Sequence, residues 1–546
     1  MPKVPLPPLL LLLLLFLQPF HVIPQPTTTT QNDQTTLLNL KHFWSNPPSL
    51  NHWNQSSDPC SWPEITCTAA TITGIEITNT DINGMVPGII CDLKNMTHLD
   101  LNYNYLTGAF PKALYNCTNL QYLDLSQNFF VGRIPDDISR LSPELRFLSL
   151  FGNNFTGDIP ISISRLSKLS SLQLHMNLFN GSFPEEISYL SDLEELNLAF
   201  NGFKPSRLPL AFTRLKRLRK FYMTEANLIG EIPANLSSMI ALELLDLSVN
   251  QINGSIPSDL FSLKNLTQVY LYANKLTGGM PDPTEALNME IVDLSANSLT
   301  GKIPDGFGSL MSLTNLTLML NQLSGEIPVS IGRLPNLQDF RIFRNNLSGP
   351  LPLDFGRYSD LKIFDVSENQ LTGNLPENLC EIPKSLGNCN TLKNFQVYRN
   401  RFSGTIPDGL WKVSMLKTVM MSDNSFSGEL PQELAPNVST LEISNNRFSG
   451  TIPDRLWKLS MLETVVMSGN SFSELGPKLW VLDISNNKFS GELPHKLGPE
   501  LWMLDISNNK FSGQIPIAIS SWTNLRFFLL ARTWILISNE RDNKLE

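Results

Sequence analysis

The stretch Thr118–Leu141 reads TNLQYLDLSQNFFVGRIPDDISRL, 24 residues whose pattern returns throughout the chain. In outline it is L-x-x-L-x-L-x-x-N-x-x-x-G-x-I-P, with Leu120, Leu123, Leu125, Asn128, Gly132, Ile134 and Pro135 in the fixed places. Leu123 and Leu125 are two apart, so a strand carries both on one face. A single unit cannot bury that face, whereas stacked copies share one continuous core. The asparagine stands where the strand turns away. Its amide both donates and accepts, which suits the otherwise unpaired backbone of a tight turn. Gly132 and Pro135 shape the return path.

Working outward, the asparagine recurs at Asn104, Asn128, Asn153, Asn177, Asn201, Asn227, Asn250, Asn274, Asn297, Asn321, Asn345 and Asn369. It continues at Asn400, Asn424, Asn446, Asn470, Asn487 and Asn509, with Thr80 and Thr533 in degenerate end units, about twenty units in all. The expected fold is therefore an α/β leucine-rich-repeat solenoid whose strands line a concave surface. One I-P or L-P per unit accounts for most of the 38 prolines.

The L-x-G-x-I-P half-unit resembles the plant extracellular type of leucine-rich repeat. The N-terminal segment NDQTTLLNLKHFWSNPPSLNHW, followed by Pro59-Cys60-Ser61-Trp62 and Ile65-Thr66-Cys67, resembles the cap of plant receptor-like kinases. LYNCTNLQYLDLSQN, LPENLC and SLGNC are most similar to the HAESA-like branch of that family. The resemblance covers residues 32 to about 525 and only an ectodomain. It implies recognition of a secreted peptide ligand, with a co-receptor kinase ectodomain as a further partner. Many members carry an R-x-R pair for the peptide's terminal carboxylate. The matching positions here are Asn394 and Gln396, which argues against that clamp.

Residues 1–24 carry Lys3 and the apolar run Leu9–Leu17, closed by Pro19 and Pro24; this reads as a secretory signal, too short to span a bilayer. The cap is expected over 25–70, with Asn32 or Asp33 capping a helix that carries Leu37, Leu40 and Trp44, and Pro47 and Pro48 stopping it. The repeat array is expected over 71–533, irregular after 376, and a tail without pattern over 534–546. The apolar run Phe527–Ile537 contains Arg532 and is too short to span a membrane. With no anchor or kinase in the sequence, the chain is expected to be an ectodomain truncated before both.

Six cysteines in a secreted chain point to disulfides. Cys60 and Cys67 close a small loop of the cap, worth roughly 2–4 kcal/mol. Cys91 and Cys117 hold matching places after Pro87 and Pro111 in successive units, so they are expected side by side. Cys380 and Cys389 copy that arrangement at a separation of 9 instead of 26, which is 17 short. The step from Asn369 to Asn400 is 31 where two units would give 48, again 17 short. Both counts point to one strand-bearing segment lost after Cys380, and in the family-like arrangement these two cysteines would bridge adjacent units. Asn470 to Asn487 is only 17, a second clipped unit, and FSGTIPDGLWKVSMLKTVMMSDNSFSGELP from Phe402 is nearly repeated from Phe448.

No catalytic constellation is present. Asp354-Phe355-Gly356 spells the kinase D-F-G but lies inside a repeat, with no H-R-D loop or V-A-I-K lysine. Six scattered histidines give no metal-ligand spacing, and no cofactor is expected. A net charge of −9 with 17% charged residues offers no footprint for nucleic acid. Binding is what the architecture supplies. Asp124 with Ser126, Asp246 with Ser248, Asp293 with Ser295 and Asp365 with Ser367 read as a solvated ladder on the outward face. Other units place Phe151, His175, Tyr222, Tyr270, Tyr272, Met319, Arg341, Phe343, Gln396 and Tyr398 there. Aromatic residues and arginine are the usual anchors of recognition surfaces, and their near-neighbour units suit an extended peptide. N-x-S/T acceptors stand at Asn54, Asn95, Asn116, Asn154, Asn180, Asn235, Asn253, Asn265, Asn315, Asn346 and Asn437.

The expected function is extracellular ligand recognition by a non-enzymatic, peptide-sensing ectodomain, as a soluble decoy or gene fragment if it ends here. The alternatives are a cell-wall protein of the polygalacturonase-inhibitor type and a defective product. The first is disfavoured because such arrays have about half as many repeats.

Overall fold

The computed structural model describes residues 31–377, 391–453, 455–473, 481–491, 493, 501–515 and 523–536. The expected secretory segment, Cys380, Cys389 and residues 537–546 lie outside them. The chain divides into two compact units, residues 1–155 and 156–546.

The first unit opens with the helix Gln31–Phe43, which buries Leu37 and Leu40, with Trp44 buried just beyond it. Asn32 and Asp33 lie within its first turn, so neither caps it. Its end is not made by the prolines either. Ser45 and Asn46 adopt left-handed backbone, φ 61° and 53°, and Asn46 N–H closes onto Lys41 O at 2.9 Å before Pro47 is reached. Trp62, within the loop closed by the Cys60–Cys67 disulfide, stacks on Trp53 at 5.0 Å, and Trp53 Nε1 donates to Glu64 Oε2 of the same loop at 3.0 Å. The strand Ile65–Thr68 runs antiparallel to Thr71–Glu76, which starts the parallel ladder Thr71–Glu76, His98–Asp100, Tyr122–Asp124, Phe147–Ser149. Cys91 and Cys117 are joined beside it.

In the second unit each unit of sequence adds one short parallel strand, from Ser171–Gln173 to Phe527–Leu529. The middle residue of each strand up to Met503–Asp505 points inward, as Leu196, Phe221, Leu245, Val269 and Val292 do, and is buried, whereas Phe528 of the last strand is only half-buried. A second row of strands follows the turn, for example Gln322–Gly325, Asn346–Pro350 and Gln370–Gly373. Gly349 sits there at φ +77°, where a Cβ would meet Glu326 Cγ at 2.7 Å.

The asparagines hold the rungs together. Asn274 Nδ2 donates to Leu247 O of the preceding rung and to its own Leu271 O and Tyr272 O, while its Oδ1 accepts from Ile252 N–H at 3.0 Å. This pattern corrects one position. The strand Lys220–Tyr222 places Ala226, not Asn227, in the ladder. Asn227 is exposed and donates to Phe203 O instead, and Asn250 Oδ1 accepts from Ala226 N–H. Thr533 takes over part of the task at the far end through Oγ1 to Leu530 O. Strand pairing runs past residue 533, since Trp534–Leu536 pairs with Lys510–Gln514.

The 31-residue interval is one step of the sheet: Ile363–Asp365 pairs directly with Asn394–Gln396, and Asn400 Nδ2 reaches Val366 O at 3.0 Å. At the clipped unit Thr464–Val466 likewise pairs with Val481–Asp483, but Asn487 Oδ1 accepts from Phe472 N–H at 3.4 Å where its counterpart Asn470 holds Phe448 N–H at 3.0 Å. The D-F-G triplet is structural. Phe355 is buried against Phe340 and Phe364, and Asp354 pairs with Arg333 at 2.9 Å.

Candidate functional site

Period-two alternation leaves the residues on either side of each buried strand centre facing outward. In the second unit the register aligns Tyr222, Asp246, Tyr270, Asp293, Thr317, Arg341, Asp365 and Gln396 in one column. Two residues on, backbone bonds link Tyr272, Ser295, Met319, Phe343, Ser367 and Tyr398 in a second column. The structure thus brings Tyr222, Tyr270, Tyr272, Met319, Arg341, Phe343, Gln396 and Tyr398 onto one strand face, each half-buried. His175 lies on the same unit, two rungs before Tyr222. Burial lowers its pKa to about 4, so its imidazole is neutral near pH 7 and provides no charge there. Phe151 belongs to the first unit.

Carboxylates alternate with the phenols. Burial pushes the Tyr222 and Tyr270 hydroxyls upward, and Asp246 adds to both. Burial likewise raises the carboxyls of Asp293, Asp339 and Asp365, held back by hydrogen bonds from Ser295, Arg341 and Ser367. The D-x-S pairs are not a solvated ladder. Ser126, Ser248, Ser295 and Ser367 are buried, and each turns its N–H and hydroxyl back to the preceding aspartate. The serine's donors fix the strand exit through one oxygen of the aspartate, and Asp124 and Asp365 are themselves buried, while Asp246 and Asp293 are half-buried on the face.

Arg341 is not a free anchor. Its Nε and Nη2 fork onto Asp339 at 2.8 and 2.7 Å, two residues back on the same face. Gln396 stands next to Asp365 in the register, so the place of the carboxylate clamp holds an amide beside an acid. Asn315, an expected sugar acceptor, is in register with Ile291 and Asp339 on this same face. A glycan there would occupy the surface expected to take a ligand. Asn154 is likewise half-buried, and the other nine acceptors are exposed.

The first unit carries a cluster outside the residues expected on the binding face. His98, Tyr122 and Phe147 stack face to face at 4.0 and 4.2 Å, one residue before the buried strand centres. The same period-two rule, applied upstream of each pair, finds them. Beside them Asp100 has its pKa raised to about 6, mainly by burial, with Asp124 and Glu76 adding repulsion and Asn102 hydrogen bonds opposing. His98 is lowered, by burial first. A carboxyl raised above its ordinary range binds its proton more tightly in the folded state, so its contribution falls as pH rises from about 4 to 6. Asp100→Asn is expected to gain about 1 kcal/mol relative to the parent at pH 7, after discounting for partial exposure, and to lose that gain by about pH 4. Denaturant unfolding at the two pH values measures it, and a pH-independent difference refutes it.

Among the described residues no group of side chains suits a metal ion, and no helix is long and apolar enough to cross a membrane. Family models bear on the same stretches. The leucine rich repeat N-terminal domain matches residues 30–68, and leucine rich repeats match 71–130 and seven further stretches between 144 and 522. The chain belongs to the plant leucine-rich-repeat receptor family. It is similar to the Arabidopsis receptor kinase HAESA, solved in complex with the peptide hormone IDA and the co-receptor SERK1: 34% identity, TM-score 0.84, covering 93% of this chain and 90% of that one. A TDR receptor structure matches at 29% identity and TM-score 0.79, covering 85% of each chain. Receptor-like protein 52 of Arabidopsis thaliana is 54% identical over 269 residues, 49% of this chain. The chain spans 33% of that relative's length.

Proposed function

We propose that this chain is the ligand-recognition ectodomain of an extracellular receptor and that an extended peptide lies along the strand face from Tyr222 to Tyr398. Its role is binding rather than catalysis. The observation that carries the reading is the column in which Tyr222 and Tyr270 alternate with Asp246 and Asp293, flanked by Tyr272, Phe343 and Tyr398. Half-buried aromatics offer apolar area at little entropic cost, and the carboxylates between them favour lysine, arginine or a free amine on the ligand. With Arg341 already forked onto Asp339, and Asn394 and Gln396 where a clamp would stand, a terminal carboxylate finds no ready partner. HAESA's complex supports both a peptide ligand and a co-receptor kinase ectodomain as a second partner. The Leu9–Leu17 segment supports delivery to the cell exterior. The reading requires Asn315 to be bare of sugar.

The test is calorimetric titration of the secreted chain with matched extended peptides, basic and acidic. Basic peptides are expected to bind more tightly. Tyr270→Ala and Tyr398→Ala are each expected to weaken binding by about 2 kcal/mol, roughly 30-fold. Equal affinity for both series, unchanged binding in the two variants, or a glycan at Asn315 by peptide mapping would each overturn it.

A further inference from the structure

On the side formed by the short helical turns, the second unit has a groove of about 430 Å³. The turns Glu185–Tyr189 and Leu210–Arg214 of two successive repeats line it, and the next repeat adds Asn235, just before its turn Leu236–Ser238. Tyr189 and Leu210 line it at 62% and 60% exposure, large apolar groups left facing water, and Glu185, Thr213 and Arg214 add polar groups. Asn235 lines it too, and it opens the acceptor triplet Asn235-Leu236-Ser237. Of the eleven acceptors in the sequence, Asn235 alone is among the residues of this groove. It is exposed, holds left-handed backbone at φ 71°, and its side chain makes no capping hydrogen bond to the turn it precedes.

We infer that the groove is the seat of the chain's own sugar: the first N-acetylglucosamine residues of a glycan on Asn235 lie across Tyr189 and Leu210. A pyranose has one face of C–H groups, which packs on an aromatic ring, and a rim of hydroxyls and an amide, which the carboxylate, hydroxyl and guanidinium here can meet. The volume is within the range of about 300–1,000 Å³ usual for small-molecule sites. The attached sugar needs no external affinity, because its link to Asn235 keeps it at high effective concentration. The modification covers an apolar patch that would otherwise stay wet. The inference rests on passage through the secretory pathway, as the proposed function requires.

The experiment is endoglycosidase release from the secreted chain, followed site by site by glycopeptide mapping, with and without denaturant. The Asn235 glycan is expected to leave at least tenfold more slowly under native conditions than glycans at other occupied acceptors, and at the same rate after denaturation. Tyr189→Ala, a change at an exposed side chain, is expected to remove most of that protection. An unmodified Asn235 beside occupied acceptors, native release at the common rate, or protection unchanged in Tyr189→Ala would overturn the inference. A chain without sugar at any acceptor would overturn the secretory assignment as well.

Discussion

Asn369→Leu is expected to lower unfolding free energy by about 3–4 kcal/mol, although leucine fills nearly the same volume. Asn369 is 5% exposed. Its Nδ2 donates to Ile342 O, Val366 O and Ser367 O at 3.1, 3.2 and 3.0 Å, and its Oδ1 accepts from Leu347 N–H at 3.0 Å. The substitution takes the amide oxygen from Leu347 N–H in a place water does not reach, and removes one of two hydrogen bonds at each of Ile342 O, Val366 O and Ser367 O, which keep those from Asn345 Nδ2, Asn400 Nδ2 and Arg344 N–H. It also removes the side-chain bonds that close the turn around Glu368, which holds left-handed backbone at φ 50°. Hydrogen exchange at the Leu347 amide reports the damage locally, and urea unfolding reports its size. Asn227→Leu is the control. That residue is exposed and out of the ladder, but it holds left-handed backbone at φ 54° and donates to Phe203 O, so its cost should be about 1–2 kcal/mol, well below that of Asn369→Leu. If the two variants unfold alike, the ladder asparagines are not what joins rung to rung.

Phe364→Ala is expected to cost about 3–5 kcal/mol. Phe364 is 0% exposed and meets three other rings: Phe340 at 6.0 Å, Phe355 edge-on at 5.1 Å and Phe395 stacked at 5.6 Å. Phenylalanine replaces the usual leucine at the centres of these three adjacent strands, so the cavity would open directly under Asp365 and Gln396. Loss of stability should therefore come with weaker ligand binding. A drop below about 1 kcal/mol in urea unfolding would show that neighbouring rings collapse into the space.

The strands were legible because their period is rigid: a buried leucine every second residue and an amide four places after each strand's end leave little freedom. Counting alone slipped at Asn227, where the ladder place holds Ala226 and the neighbouring asparagine preserved the look of the repeat. The outward residues were legible as positions but not as chemistry. Sequence could not show that Ser248 or Ser367 folds back onto its aspartate, or that Asp339 claims both edges of Arg341. Those outcomes depend on rotamers and burial. The His98–Tyr122–Phe147 stack stands one residue before the first leucine of each pair, whereas the expected binding residues stand between the two leucines or just after them.

The single sheet step made by the 31-residue interval means that this protein measures distance in strands, not in residues. From Tyr222 to Gln396 there are seven such steps. At about 4.8 Å each they span roughly 34 Å, the reach of an extended peptide of about ten residues. Lengthening or trimming the connecting chain leaves that reach unchanged. Adding or losing one strand changes it by a fixed notch of about 5 Å, somewhat more than one residue of ligand. Gain or loss of a rung between Arg341 and Gln396 would therefore retune the length of peptide accepted while leaving every contact residue in place.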